Sequence, residues 1–349
     1  MTTVDHTARA HAPMSASRMH RIVACPASFQ LENKMPQQPA GEAAERGTHI
    51  HELAEKLIFN NGDLSSFYDE NAEDLEIASD YAVYIAKLKA HARKWFIEMN
   101  VNDGLQQISD QLGGTADAVV IENNTLHIVD LKTGRVPVKA EDNIQLLTYA
   151  VGVALKLKAP LKDITIKMHI WQPGNINTWE VPGQMLISHQ QTLAKAVTAA
   201  QADNPSAVPS TDACKYCRAK PICPAMREKV QDAARKDFEI PSIDVDPDAF
   251  IEFNITPEML EQAQMAIEWG ESIVQAAKTQ IINGKTVAGW KLKPGRKMKS
   301  WAVPAEAEQI LRDKPEAWTL KSVSAVEKLG IDLTDLIVVK ISEPSLTRE

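Results

Sequence analysis

The sequence predicts a mixed α/β protein: a central sheet flanked by helices, with further elements appended. Three observations carry this. Stretches with helical spacing come first, as in "GEAAERGTHIHELAEKLIF" (41–59). A meander of short strand-like runs follows, with Asn123-Asn124 as a turn signal between two of them. Helical and strand-like stretches then alternate as far as a cluster of cysteines.

Taken in order, residues 1–20 read as a loose arm and 41–59 as an Ala/Glu-rich helix. The stretch "NAEDLEIASDYAVYIAKLKAHARKWFIEM" (71–99) places Leu75, Ala78, Ala82, Ile85 and Leu88 on one face, which predicts a long amphipathic helix. Strands are expected near 106–112, 115–121 and 125–131, the last two as a hairpin. "EDNIQLLTYAVGVALKL" (141–157) reads as a helix, and 163–173 and 177–182 as strands. "SHQQTLAKAVTAAQAD" (188–203) reads as a helix with Ser188 as its N-cap. A proline-containing segment, 204–213, leads into the cysteines, and "EIPSIDVDPDAF" (239–250) reads as a linker. A helix over 256–283, a basic strand pair over 286–301 and short helices complete the chain. The expected organisation is an N-terminal arm (1–40), a core (41–238) and a C-terminal extension (239–349).

The 349 residues, 44% of them hydrophobic, suffice for one large domain or two modest ones. No apolar run approaches the length that spans a membrane, and the N-terminus lacks the apolar stretch of a signal peptide. A cytoplasmic protein without a membrane partner is the expectation. The net charge of −8 excludes a bulk polycation, so contact with nucleic acid must rely on local basic patches.

"GGTADAVVIENNTLHIVDLKTGR" (113–135) sets Asp117 and Asp130 in otherwise apolar strands. Charged groups are rarely buried without a partner or a metal. Residues i and i+2 of a strand share a face, so Asp130 and Lys132 point the same way, and the hairpin can bring Asp117 beside Asp130. Two carboxylates and a backbone carbonyl make an oxygen-rich site suited to Mg²⁺ or Mn²⁺. Lys132 can then orient a water or stabilise developing phosphate charge. The competing reading is a satisfied Asp–Lys pair on a hairpin. Gln145 and Tyr149 are four apart on the next helix, as are Gly47 and His51 on the early one. "HELAE" (51–55) is not a zinc-protease motif, because Glu55 stands where a second histidine is needed.

Cys25, Cys214, Cys217 and Cys223 are the four cysteines, three of them in "CKYCRAKPIC" (214–223). In a cytoplasmic setting this favours a metal over disulfides, and four thiolates suit either Zn²⁺ or an iron–sulfur cluster. Downstream, "GKTVAGWKLKPGRKMKSW" (284–301) carries Lys285, Lys291, Lys293, Arg296, Lys297 and Lys299 with no acid, the last five between Trp290 and Trp301. Basic residues interleaved with aromatics fit phosphates and stacked bases, while the plainer reading is a charged strand edge.

In this order "GTHIH" (47–51), "GGTADAVV" (113–120), "VDLKTGR" (129–135) and "QLLTY" (145–149) resemble the PD-(D/E)XK nuclease superfamily, in its RecB-like branch. The resemblance implies His51, Asp117, Asp130 and the Leu131 carbonyl as ligands of Mg²⁺ or Mn²⁺, Lys132 as the catalytic lysine, and Gln145 and Tyr149 as substrate-side helpers. It implies a restriction-endonuclease-like core. The cysteine arrangement, three together and one distant, resembles the iron–sulfur nucleases of that branch and favours a structural [4Fe–4S] cluster over Zn²⁺. The wider arrangement of "SASRMHRIVACPASFQLE" (15–32), "GTHIHELAE" (47–55), "DLKTGR" (130–135), the cysteine cluster and "GWKLKPGRKMKSW" (289–301) resembles the DUF2800 family of phage and prophage proteins. The expectation is a metal-dependent DNA nuclease, an exonuclease of phage DNA recombination or processing. DNA is then the partner, with a phage single-strand annealing or other recombination protein beside it. The rival is a non-catalytic nucleic-acid-binding or scaffolding protein with the same fold.

Overall fold

The computed structural model describes residues 12–35, 41–67, 70–134, 136–238 and 256–292. The chain divides into two units, Met1–Ala288 and Gly289–Glu349. In the first unit, strand β1 (Met14–Ser15) leads into helices α1 (Ala16–Ala24) and α2 (Ala27–Asn33). Helices α3 (Glu42–Phe59) and α4 (Ala72–Lys89) precede strand β2 (Lys94–Asn100) and the short helix α5 (Asn102–Leu105). Strands β3 (Leu112–Gly113), β4 (Thr115–Glu122) and β5 (Thr125–Leu131) follow, then helix α6 (Ile144–Leu157) and strands β6 (Thr165–Gln172) and β7 (Asn175–Pro182). Helices α7 (Met185–Gln201), α8 (Thr211–Cys214), α9 (Pro224–Phe238) and α10 (Pro257–Ile282) complete the described elements, with a 3₁₀ turn over Lys220–Ile222.

The main sheet has five strands in the order β2-β4-β5-β6-β7. It is mixed: β5 and β6 run parallel, and the other neighbours are antiparallel. The β4–β5 turn works as its sequence suggests. Asn123 takes φ 49°, the left-handed region that asparagine tolerates. The register that follows sets Ala118 against Val129 and extrapolates to Asp117 against Asp130. The parallel β5–β6 pair needs a crossover, and α6 supplies it. The Asn143 side chain accepts from the Leu146 N–H at 3.1 Å and so starts α6 beside the end of β5.

Both faces of the sheet are covered. Leu126 and Ile128 of β5 pack with Leu146, Leu147 and Ala150 of α6, in the core that also holds α1 and α7. Val129 and Leu131 pack the opposite way, with Leu53 and Leu57 of α3 and Tyr81 and Ile85 of α4. Strand alternation therefore sends Asp130 to the α6 side, while α3 closes the other. α5 and α6 touch through two glycines: a Cβ on Gly104 would stand 1.9 Å from the Gly152 carbonyl oxygen.

Several expectations change. The helix expected over 71–99 ends at Lys89, and "KWFIEMN" becomes strand β2, with Trp95, Phe96 and Ile97 in register with Val120, Val119 and Ala118. Pairing along β4 outweighs local periodicity there. The strand expected near 106–112 is replaced by turns that follow α5, ending in the short β3. The arm expected over 1–20 is structured from Met14, because β1 pairs with β3 and α1 buries Met19 and Ile22. Ser188 lies inside α7, where its hydroxyl donates to the Met185 carbonyl at 2.8 Å; Gln184 holds the cap position. The linker expected over 239–250 lies outside the described residues, as does the end of the basic strand pair from 293 onward.

Candidate functional site

The end of β5, the start of α6 and the middle of α3 meet at one cleft of about 910 Å³. Its lining includes His51, Glu98, Asp117, Asp130, Lys132 and Gln145. α3 gets this close because residue 47 is glycine: a Cβ there would lie 3.2 Å from Thr133 Oγ1. The close approach explains the glycine one turn before His51.

Asp130 is 2% exposed. Its Oδ2 lies 2.7 Å from Lys132 Nζ, and its Oδ1 accepts from Gln145 Nε2 at 3.1 Å. Lys132 Nζ donates to Gln145 Oε1 at 3.0 Å, and Gln145 Nε2 also donates to the Tyr149 hydroxyl at 3.0 Å. Gln145 thus ties the acid, the base and the phenol together. Burial works against the Lys132 ammonium, but the Asp130 carboxylate more than offsets it, so its pKa stands above the ordinary value. Burial, with the Asp130 and Asp117 carboxylates, pushes the Tyr149 phenol well up. At neutral pH this end of the cleft holds a cationic lysine and an uncharged phenol.

On the other side, Asp117 Oδ2 accepts the Leu131 N–H at 2.7 Å. His51 Nε2 is 3.1 Å from the Leu131 carbonyl oxygen, and His51 Nδ1 is 3.6 Å from Asp117 Oδ1. Burial lowers the His51 pKa, so the imidazole is neutral, the form that can ligate a metal. If Nε2 carries the proton and donates to Leu131, Nδ1 is left facing Asp117 with its lone pair.

All of His51, Asp117, Asp130, Leu131, Lys132, Gln145 and Tyr149 come together, as their order in the sequence suggests. The set whose ligand atoms lie within 4.8 Å of one another, among the described residues, is His51, Glu98 and Asp117. Asp130 is turned to Lys132 and Gln145, and the Leu131 carbonyl is turned to His51. Sequence reasoning missed Glu98, because it fell at the end of an expected helix. Its backbone has φ 50°, unusual for a glutamate within a strand. A strand-forming run, Trp95-Phe96-Ile97, just before an acid was the available signal. Two carboxylates are hard donors suited to Mg²⁺ or Mn²⁺, and the borderline imidazole nitrogen tips the set towards Mn²⁺.

The cysteines are gathered differently. Cys25 ends α1, Cys214 ends α8, and Cys217 and Cys223 flank the 3₁₀ turn. The Cys25 sulfur accepts the Val208 N–H at 3.3 Å. Burial raises the Cys214 thiol, with Cys25 and Cys223 adding to it, and burial pushes Cys217 up to about 11. The thiols thus share one neighbourhood, but they do not form a set within the 4.8 Å ligand spacing found in the cleft. Glu32 organises this region. It is 2% exposed and pairs with Arg18 at 2.9 Å and, more closely, with Arg21. It also accepts the Arg218 N–H at 2.9 Å, inside the cysteine loop.

Of the expected DNA-contact strip, Trp290 and Lys291 are described, and both are exposed. Lys293, Arg296, Lys297 and Lys299 lie outside the described residues. Among the described residues, no helix is long and apolar enough to cross a membrane.

Comparison with known proteins adds a family. The model described as "Protein of unknown function (DUF2800)" matches residues 11–331. The chain belongs to the DUF2800 family. In this DUF2800 protein the matched span takes in both the cleft and the cysteine region. A solved structure described as "Crystal structure of SSO0001" is 16% identical, with a TM-score of 0.29, and the match covers 60% of this chain and 85% of that chain. So weak a superposition leaves the cleft to stand on its own geometry.

Proposed function

We propose that this DUF2800 protein is a metal-dependent deoxyribonuclease with a PD-(D/E)XK, RecB-like site, acting as an exonuclease on phage DNA in the cytoplasm of a bacterial host. One observation carries the reading: residues from α3, β2, β4, β5 and α6 converge on one cleft with the donor types and the lysine that phosphodiester hydrolysis needs. His51, Glu98 and Asp117 would hold a Mg²⁺ or Mn²⁺ ion, with Asp130 and the Leu131 carbonyl beside them. When bound, such an ion supplies Lewis-acid polarisation of the phosphate and acidification of water. The chain's own groups do the rest. The Lys132 ammonium faces the cleft and stabilises charge developing on the phosphate oxygens. Asp130 fixes that ammonium, and Gln145 holds both in place from α6. The uncharged Tyr149 supports Gln145 and can donate a hydrogen bond to a phosphate oxygen.

The four cysteines fit a [4Fe–4S] cluster by number and neighbourhood, with Zn²⁺ as the alternative. Binding there would draw the thiols together and staple α1 to the segment after α7.

End-labelled linear DNA and closed circular DNA, incubated with and without Mn²⁺, test the activity. Metal-dependent release of nucleotides from linear but not circular DNA is expected, with Asp117→Ala inactive. Cleavage that ignores chelators, or persists in Asp117→Ala, would sink the assignment. For the cysteines, protein purified without oxygen should be brown, with broad absorbance near about 400 nm. Colourless protein holding one zinc per chain would replace the cluster with zinc.

A further inference from the structure

Helix α10 buries one side and exposes the other. Met265 packs with Cys214 and Met226, and Trp269 lies beside them. At a helical period of about 3.6 residues, the opposite side carries Leu260, Ile267, Val274 and Ile281, seven residues apart. Ile267 is 56% exposed and Val274 55%. Between them, three residues after each of the first three, stand Ala263, Gly270 and Ala277. Large and small residues thus alternate at three- and four-residue spacing, the pattern of a coiled-coil seam. Such a stripe is not the usual solvent face of a helix.

We infer that α10 is a self-association surface that pairs antiparallel with α10 of a second copy of this chain. The inference stands apart from the cleft chemistry. Shape favours the antiparallel sense. With Val274 set against the second copy's Gly270, Ile267 meets Ala277, Ile281 meets Ala263, and Leu260 meets Gly284. Each large side chain then faces a small one throughout, and the two-fold makes both halves alike. A parallel pair would stack large on large and small on small.

Charge points the same way. Glu258 and Glu261 lie in the N-terminal part of α10 and Glu271 near its middle, while Lys278 lies near its end and Lys285 just beyond. Antiparallel pairing brings the Lys285 end of one copy to the Glu258–Glu261 end of the other, and it opposes the helix dipoles favourably. Near the two-fold both Glu271 side chains fall on the same flank, which keeps the association weak. The helix has 26 residues, about 39 Å of length. A single helix pair of that length sits at the small end of specific interfaces, so a dimer that forms and dissociates readily is the expectation.

Sedimentation velocity on the full chain over a concentration series tests this, with thermal melting as the folding control. The unmodified chain should shift reversibly from monomer to dimer. Ile267→Glu should weaken the dimer at least about tenfold, because it sets a charge in the seam. Gly270→Leu should do the same. A Cβ at Gly270 meets nothing within 4 Å in the monomer, so this variant keeps the fold while blocking close approach. Reversing Lys278 and Lys285 together to Glu should also weaken the dimer. A chain that stays monomeric throughout, or a dimer indifferent to both seam variants, overturns the inference. Loss with the seam variants but not with the charge reversal overturns the antiparallel sense.

Discussion

The cleft and the cysteine region both unite residues far apart in the chain, yet they are held together in different ways. In the cleft the functional groups hold one another: Asp130, Lys132, Gln145 and Tyr149 form one hydrogen-bonded set, and Asp117 is fixed by the Leu131 N–H. In the cysteine region the order comes from a residue that is not a thiol, Glu32, through Arg18, Arg21 and Arg218. A change to a cleft group therefore alters chemistry and arrangement together. The cysteine region can lose its arrangement while every sulfur remains.

The sharpest way to break this comparison is Asp130→Asn. The shape is kept, but the ion pair with Lys132 is lost. Cleavage should fall by roughly 10³-fold or more, the scale of losing a group that supports transition-state charge. The melting temperature should move little, since Lys132 still reaches solvent and Gln145. A variant with ordinary activity would show that Asp130 only satisfies the lysine.

Glu32→Gln probes the other region. It leaves Arg21 buried without its counter-charge, which costs about 3–5 kcal/mol. Chemical denaturation should show that loss, and metal or iron content should drop, while the variant that stays folded keeps the per-molecule cleavage rate. A fall in activity with no change in stability would mean the two regions are not separable.

Acid should act on the sheet and its helices. Burial lowers His169 to about 3 and His189 to about 4. Folded, both are neutral; unfolded, each takes up a proton near its ordinary value of about 6.5. The stability they help preserve is complete above that value and is lost as pH falls from there towards their folded values. The expected slope is about 1.4 kcal/mol per pH unit for each histidine. Denaturant titrations at several pH values between those limits would show it. His169→Gln with an unchanged slope would remove it from the account.

The smallest expected effect is Gly47→Ala. Alanine favours a helix over glycine by up to about 1 kcal/mol, so α3 should not suffer. Its Cβ, however, would press on Thr133 beside Lys132. Cleavage should fall by up to about tenfold through misplacement, with stability level or slightly raised. Reduced stability with full activity would reverse that reasoning.

These two regions were not equally legible in the sequence. The β4–β5 hairpin was readable because Asn123-Asn124 and the alternation around it agree, and residues 47–51, 117, 130–132 and 145–149 carry recognisable spacing. Glu98 was not, since the apolar spacing of α4 continued past Lys89 and only pairing with β4 ends it. α1 was missed because its nine residues include serine, histidine and two arginines, and its burial depends on α6 and α7. The role of Glu32 could not be read at all: one of its partners is 186 positions away, and no local pattern marks an acid for burial.

The placement of α1 also bears on how the chain is made. Helix α1 is synthesised well before its partners: it packs in the core with α6 and α7, and the following helix waits for Arg218. Until the chain has been made as far as Gln201, the end of α7, Met19 and Ile22 have no complete place to go. Such distant contacts slow closure and lengthen the exposure of apolar surface. A nascent chain stalled before α7 should therefore be a better chaperone client than one stalled after the cysteine loop, although both contain the whole sheet.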